Sequence, residues 1–269
     1  QALKIMPDYA EAYNNLGLVL MKKGQIATAK KNFERAIEIK QDFAAGHFNL
    51  GNCLLRKDNF ESAIASYQAA LTIDKTYAEA HNNLGNAYSK SKQPDLAIKS
   101  YKAALGLKPN YTDAYLNLGS LQLEYGHFDA AIGSYQQALR VDPTHAIAHS
   151  FLAYIQKYDG SEPHIRQMKA LYQDTETSDD DRIHLGFALG KVLEDASDFE
   201  MSFQFLQQGN HLRKKQLRYD LSHDRRLFSQ IKTMFENRSA DQIKRPTGSS
   251  QKQPIFIVGM PRSGTSLIE

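Results

Sequence analysis

The sequence predicts an all-α solenoid of stacked helical hairpins. After it come the first β-strand and phosphate-loop-like turn of an α/β domain at the C-terminal end. Three observations predict this. Leucine–glycine pairs recur every 34 residues, at Leu16-Gly17, Leu50-Gly51, Leu84-Gly85 and Leu118-Gly119, and Leu152-Ala153 continues the series. Each glycine is followed by an alanine, an aromatic and a second alanine at fixed offsets: Ala29-Phe33-Ala36, Ala63-Tyr67-Ala70, Ala97-Tyr101-Ala104 and Ala131-Tyr135-Ala138. The stretch Pro254 to Glu269 runs from four consecutive apolar residues into a loop with two glycines, then back to apolar residues.

A fixed period of this length with this pattern resembles the tetratricopeptide repeat, whose fold is a right-handed superhelix of helical hairpins. Small residues let the two helices of a hairpin approach closely, and the aromatic fills the space between neighbouring units. Pro109 and Pro143 end the second helices of their units. Four full units are expected at 10–43, 44–77, 78–111 and 112–145, with 1–9 the tail of an earlier one, so that 1–145 is one repeat array.

The register then loosens. Residues 146–236 are expected to hold degenerate repeat-like units and a helical cap. A first helix is read over Ala148 to Lys157, then a break at Asp159-Gly160, then a helix containing Ile165, Met168 and Leu171. Thr177 to Asp181 is a polar helix start, and Leu189-Gly190 restores the signature before Phe199, Phe203 and Leu206. Arg213, Lys214, Lys215, Arg218, Arg225 and Arg226 read as a solvated helix face. Leu227, Phe228, Ile231, Met234 and Phe235 form an apolar stripe expected to pack into a core. The polar stretch 237–253, with Pro246 and Gly248, reads as a linker.

Composition bounds the function. The 269 residues carry a formal charge of +3, which argues against a general nucleic-acid binder. No apolar run reaches the length of a membrane span. Cys53 stands alone and cannot form an internal disulfide, which suits a reducing compartment and a cytoplasmic location. The chain reads as a fragment at both ends. His47, His81 and His149 share one repeat position, where Tyr13 and Tyr115 stand in other units, and read as packing residues. No metal site is expected.

Asn15, Asn49, Asn83 and Asn117 also share one position, two residues before each glycine. Equivalent first-helix positions line up along the concave face of a stacked array. Asparagine offers one acceptor and two donors, so such a column can grip the backbone of an extended peptide whatever its sequence. A similar column in the repeats of O-linked N-acetylglucosamine transferase implies a peptide or protein partner on this face. Asn14, Asn52, Asn82 and Asn86 thicken the same polar face.

The terminal segment 254–269 reads as the start of a second domain. Pro254-Ile-Phe-Ile-Val258 is a short strand, and Gly259-Met-Pro-Arg-Ser-Gly-Thr-Ser266 is a loop leading into a helix. Unpaired backbone N–H groups at such a helix start bind anions. Gly259 and Gly264 have the spacing of a nucleotide-binding P-loop, but Thr265 replaces its lysine, and the cation is Arg262. The stretch Ile257 to Leu267 resembles the 5′-phosphosulfate loop of sulfotransferases. Its arginine form is similar to tyrosylprotein sulfotransferases and to bacterial sulfotransferases fused to tetratricopeptide repeats. That resemblance implies 3′-phosphoadenosine 5′-phosphosulfate as co-substrate, held by Pro261, Arg262, Ser263, Gly264, Thr265 and Ser266. It also implies a catalytic, charge-stabilising role for Arg262. The expected function is therefore sulfuryl transfer to a hydroxyl by the whole protein, with the repeats holding a polypeptide acceptor. The alternative is a non-enzymatic interaction scaffold.

Overall fold

The computed structural model describes residues 6, 8–160, 162–218 and 220–236, which hold thirteen α-helices and no strand. The expected strand at 254–258 and the loop at 259–266 lie outside the described residues. The chain divides into two compact units, Gln1–Leu217 and Arg218–Glu269.

Helices of the first unit pair into hairpins. Helix α1 (Ala10–Lys22) pairs with α2 (Ile26–Ile39), α3 (Ala44–Leu55) with α4 (Phe60–Ile73), α5 (Ala78–Lys90) with α6 (Pro94–Leu107), and α7 (Thr112–Glu124) with α8 (Phe128–Val141). Then come α9 (Ala146–Ile155), α10 (Pro163–Gln173), α11 (Asp179–Asp195) and α12 (Phe199–Leu217). The sequence signature has a direct steric cause. A Cβ added at Gly51 would lie 2.6 Å from the Tyr67 ring, and one at Gly85 would lie 2.6 Å from the Tyr101 ring. Only a bare Cα lets the aromatic of the second helix lie flat on the first. Phe33, Tyr67 and Tyr135 are fully buried in this way.

Each hairpin turns through a left-handed residue seven positions past its glycine: Gly24, Asp58, Lys92, Gly126 and Ser197, all with φ between 55 and 76°. Two of these are glycine, which adopts the conformation without steric cost. Between hairpins the join is apolar. Ile64, Tyr67 and Leu71 of α4 cluster with Leu84, Ala87 and Tyr88 of α5. Ile98, Tyr101 and Leu105 of α6 meet Leu118 and Leu121 of α7, and Ile132, Tyr135 and Leu139 of α8 meet Phe151, Leu152 and Ile155 of α9.

The register loosens at α9. This helix begins two residues before the expected Ala148, because His145 Nδ1 accepts the Ala148 N–H and caps it. It ends at Ile155, where Gln156 turns extended. Residues around Asp159-Gly160 form the expected break, with Gly160 at φ 99°. Helix α11 then packs on α9, α10 and α12 around Ile165, Met168, Leu189, Val192 and Phe205. Gly190 repeats the close approach, its missing Cβ lying 2.5 Å from Leu206. Phe203 occupies the repeat position of Ile64, Ile98 and Ile132, yet it is 65% exposed.

The described part of the second unit is α13 (Leu221–Glu236). Its stripe residues Leu227, Phe228 and Ile231 are exposed rather than packed in a core, which corrects the expectation for them. Arg213, Lys214, Lys215, Arg218, Arg225 and Arg226 are exposed, as a solvated face requires.

Candidate functional site

Successive first helices touch one another, α1 with α3, α3 with α5 and α5 with α7. Asparagines fill the seam between them. Asn49 Nδ2 donates to Asn14 Oδ1 at 2.8 Å. Asn83 Nδ2 donates to Asn52 Oδ1 at 2.7 Å, and Asn117 Nδ2 donates to Asn82 Oδ1 at 3.0 Å. Within α5, Asn82 Nδ2 donates to Asn83 Oδ1 at 3.1 Å. A continuous amide chain thus runs from Asn117 through Asn82 and Asn83 to Asn52.

Phenols from the second helices join it. Tyr67 donates its hydroxyl to Asn52 Oδ1 at 2.8 Å, and Tyr101 donates to Asn86 Oδ1 at 2.8 Å. Ser120, at the same repeat position, lies 3.2 Å from the Tyr135 hydroxyl. Burial pushes the Tyr67 and Tyr101 phenols above their ordinary range, so both remain protonated donors.

The asparagines expected to bind peptide therefore occupy unequal environments. Asn15 is exposed, Asn49 is buried, and Asn83 and Asn117 are half-buried. Three of the four commit a donor to the seam. Asn49 and Asn117 each have a second N–H and the carbonyl lone pairs beyond the seam bond, whereas Asn83 also meets the Tyr67 hydroxyl and accepts from Asn82. The seam partners Asn14, Asn52 and Asn82 are not in that column. They stand three residues before or one after the glycine, and a single-column reading misses the alternation.

A cleft of about 440 Å³ opens on this seam, lined by Asn86, Asn117, Ser89, Ser120, Leu55 and Phe60 among others. Asp58, Lys90 and Glu124 also line it, and Glu124 pairs with Lys92 at 3.0 Å. The cleft combines amide and hydroxyl groups with a modest apolar floor.

No group of three or more metal-ligating side chains occurs among the described residues. His47 and His81 bond through Nε2 to the carbonyls of Gln41 and Lys75, six residues earlier, and His149 does the same with Pro143. That shared bond explains the repeat position. No described helix is long and apolar enough to cross a membrane. Pro261 to Ser266, including Arg262, lie outside the described residues.

Comparison with known proteins decides what the hairpins are. The family described as tetratricopeptide repeat matches residues 10–43, 78–111 and 112–145, and a second repeat model of the same kind matches 54–92. The hairpins from α1 to α8 are tetratricopeptide repeats. The fold of this repeat array is similar to that of Pseudomonas aeruginosa PilF, with a TM-score of 0.58, 21% identity, and coverage of 82% of this chain and 97% of that one. YrrB, described as a tetratricopeptide-repeat protein with an unusual peptide-binding site, is similar at a TM-score of 0.50 and 20% identity, over 76% of this chain and 94% of that one. An uncharacterized protein of Aquifex aeolicus (strain VF5) is 31% identical over 115 residues, 43% of this chain. That match spans 15% of the relative's own length.

Proposed function

We propose that the tetratricopeptide repeats form a docking array for an extended peptide segment of a partner protein, held against the first helices α1, α3, α5 and α7. The observation that carries this reading is the asparagine seam beside its cleft. Three amides already oriented by seam bonds each retain hydrogen-bonding capacity. Such groups match a backbone N–H and C=O pair with little ordering cost. The first helices touch one another in succession, so one segment laid along them could reach several amides. A peptide-binding site is described for YrrB, whose fold is shared, and that lends the reading further support.

The test is peptide-array binding followed by fluorescence polarisation with the best sequence. Replacing Asn49, Asn83 and Asn117 with alanine weakens capture by tenfold or more while the far-ultraviolet circular dichroism is unchanged. Unaltered capture overturns the role of the column.

A second reading rests on residues 257–267 alone. There the resemblance to sulfotransferases implies sulfuryl transfer from 3′-phosphoadenosine 5′-phosphosulfate to a hydroxyl acceptor presented by the repeats. Its support is the loop sequence: two glycines, a guanidinium at Arg262 in place of the P-loop ammonium, and hydroxyls at Ser263, Thr265 and Ser266. Calorimetry with the nucleotide donor, with and without Arg262→Ala, tests it. Equal affinity for ATP and for the phosphosulfate donor rules it out.

A further inference from the structure

Where the 34-residue period breaks, three titratable side chains meet in a chain, His149 and Tyr158 buried and His164 half-buried. His149 belongs to α9, His164 to α10, and Tyr158 to the segment between them. His149 Nε2 lies 2.9 Å from the Pro143 carbonyl oxygen. A carbonyl only accepts, so Nε2 carries the proton and Nδ1 is a lone-pair acceptor. His164 Nε2, 2.7 Å from that Nδ1, must then be the donor. His164 Nδ1 is left as the acceptor for the Tyr158 hydroxyl, 2.7 Å away. The two imidazoles stack with centroids 4.9 Å apart and planes 21° from parallel. Every position in this relay is satisfied in one arrangement only, with both rings neutral. His47 and His81 make the same backbone bond. Only His149 passes the relay on to the following helix.

We propose that this relay is an acid-sensitive clasp holding α10 against the repeat array, and that one proton arriving on it releases residues 156–173. A proton on His149 Nδ1 would either set two N–H groups facing each other across 2.7 Å or drive the His164 proton to Nδ1, against the Tyr158 hydroxyl. A proton on His164 Nδ1 would force the Tyr158 hydroxyl to reverse and leave its hydrogen without the bond it now makes. Either way a cation is created inside a site built for neutral rings, and a buried unpaired charge is expensive.

The surrounding charges do not offset this. From α8, Arg140 lines the same cleft as His164 and Tyr158. From α11, the Lys191 ammonium lies 5.7 Å from the centre of the Tyr158 ring and is paired with Asp195 at 2.5 Å. From the loop before α9, Asp142 attracts a proton to His149 while His145 repels it, and the Asp142 carboxylate is already bonded to Thr144. Glu162 favours a charge on His164, but its two oxygens accept the Asp159 and Gly160 N–H groups. Burial outweighs these attractions. It holds His149 below its usual range and pushes His164 down from 6.5 to about 4.

The sign follows from linkage. A histidine depressed in the folded state contributes stability that is complete above about pH 6.5. That contribution is lost as pH falls from 6.5 towards 4. Each unit in that window favours the open form about tenfold, up to roughly 300-fold from His164 alone.

Hydrogen–deuterium exchange at pH 7.0 and pH 5.0, corrected for intrinsic exchange chemistry, tests the clasp on the whole chain. Amides of residues 156–173 open roughly 30-fold more at the lower pH, while those of α3 to α6 do not change. His164→Gln supplies an amide N–H towards His149 and an amide oxygen towards Tyr158 in place of one titrating ring, and its acid response shrinks to what His149 alone supplies. His145→Asn keeps the α9 cap and retains the acid response. Wild-type opening that is equal at both pH values, or an unaltered pH response in His164→Gln, overturns the proposal. Should that variant fail to fold, the imidazole ¹⁵N shifts of the wild-type protein decide it. Both rings remain neutral Nε2–H tautomers at pH 5.5 while α10 stays protected. A His164 that titrates near 6.5 with its helix intact sinks the idea.

Discussion

Asn83 Nδ2 donates to Asn52 Oδ1 across two successive first helices, and the same oxygen also accepts the Tyr67 hydroxyl. One amide therefore ties together the first helix of its own hairpin, the second helix behind it and the next hairpin along.

Removing that amide strands two donors at once. Asn52→Ala is expected to destabilise the protein by about 1–3 kcal/mol, the cost of leaving a buried phenol and a half-buried amide without their acceptor. Urea denaturation of the variant and the parent measures it. A loss under about 0.5 kcal/mol would mean that water replaces the amide fully.

Two glycine-to-alanine substitutions should act in opposite directions. Gly85→Ala drives a methyl to 2.6 Å from the Tyr101 ring, and overpacking of this kind costs about 1–3 kcal/mol. Gly133 lies inside α8 with nothing within 4 Å of its added Cβ. Gly133→Ala is expected to stabilise by about 0.5–1 kcal/mol through helix propensity alone. Thermal melts of the pair read both signs.

Cys53 should be silent towards thiol reagents. It is buried, its Sγ donates to the Ile26 carbonyl at 3.3 Å, and burial raises its thiol above the ordinary value. Reaction with an aromatic disulfide reagent is expected only at the rate of unfolding. Labelling within seconds at neutral pH would show that the first two hairpins part readily.

Ser178 and Asp181 form a reciprocal cap at the start of α11. The Asp181 N–H donates to Ser178 Oγ at 3.1 Å, and that hydroxyl donates to the Asp181 carboxylate at 2.7 Å. Ser178→Ala is expected to cost about 1 kcal/mol, measured by chemical denaturation.

The helical array was legible because its cause is local and periodic. A glycine facing a large side chain sixteen residues later leaves the same imprint each time, an aromatic in the four repeats and Leu206 opposite Gly190. The asparagine seam was half legible. The column of Asn49, Asn83 and Asn117 shows in the sequence. Asn14, Asn52 and Asn82 show too, as further amides on the polar face, but their pairing with the column does not, because they stand at two different offsets from the glycine. The His149–His164 bond was illegible. His149 follows the period, but His164 belongs to the stretch where the period fails, and no spacing rule links them. The exposure of Leu227, Phe228 and Ile231 was missed for a related reason. An apolar stripe shows that a helix has a side to bury, and not that a second element comes to cover it.

The left-handed residue that closes each hairpin, from Gly24 to Ser197, has a modular consequence. Chain reversal is completed inside each pair of helices and asks nothing of the neighbours. A whole pair could therefore be duplicated or excised with its joins intact, and the reach of the array would grow or shrink in steps of one cassette.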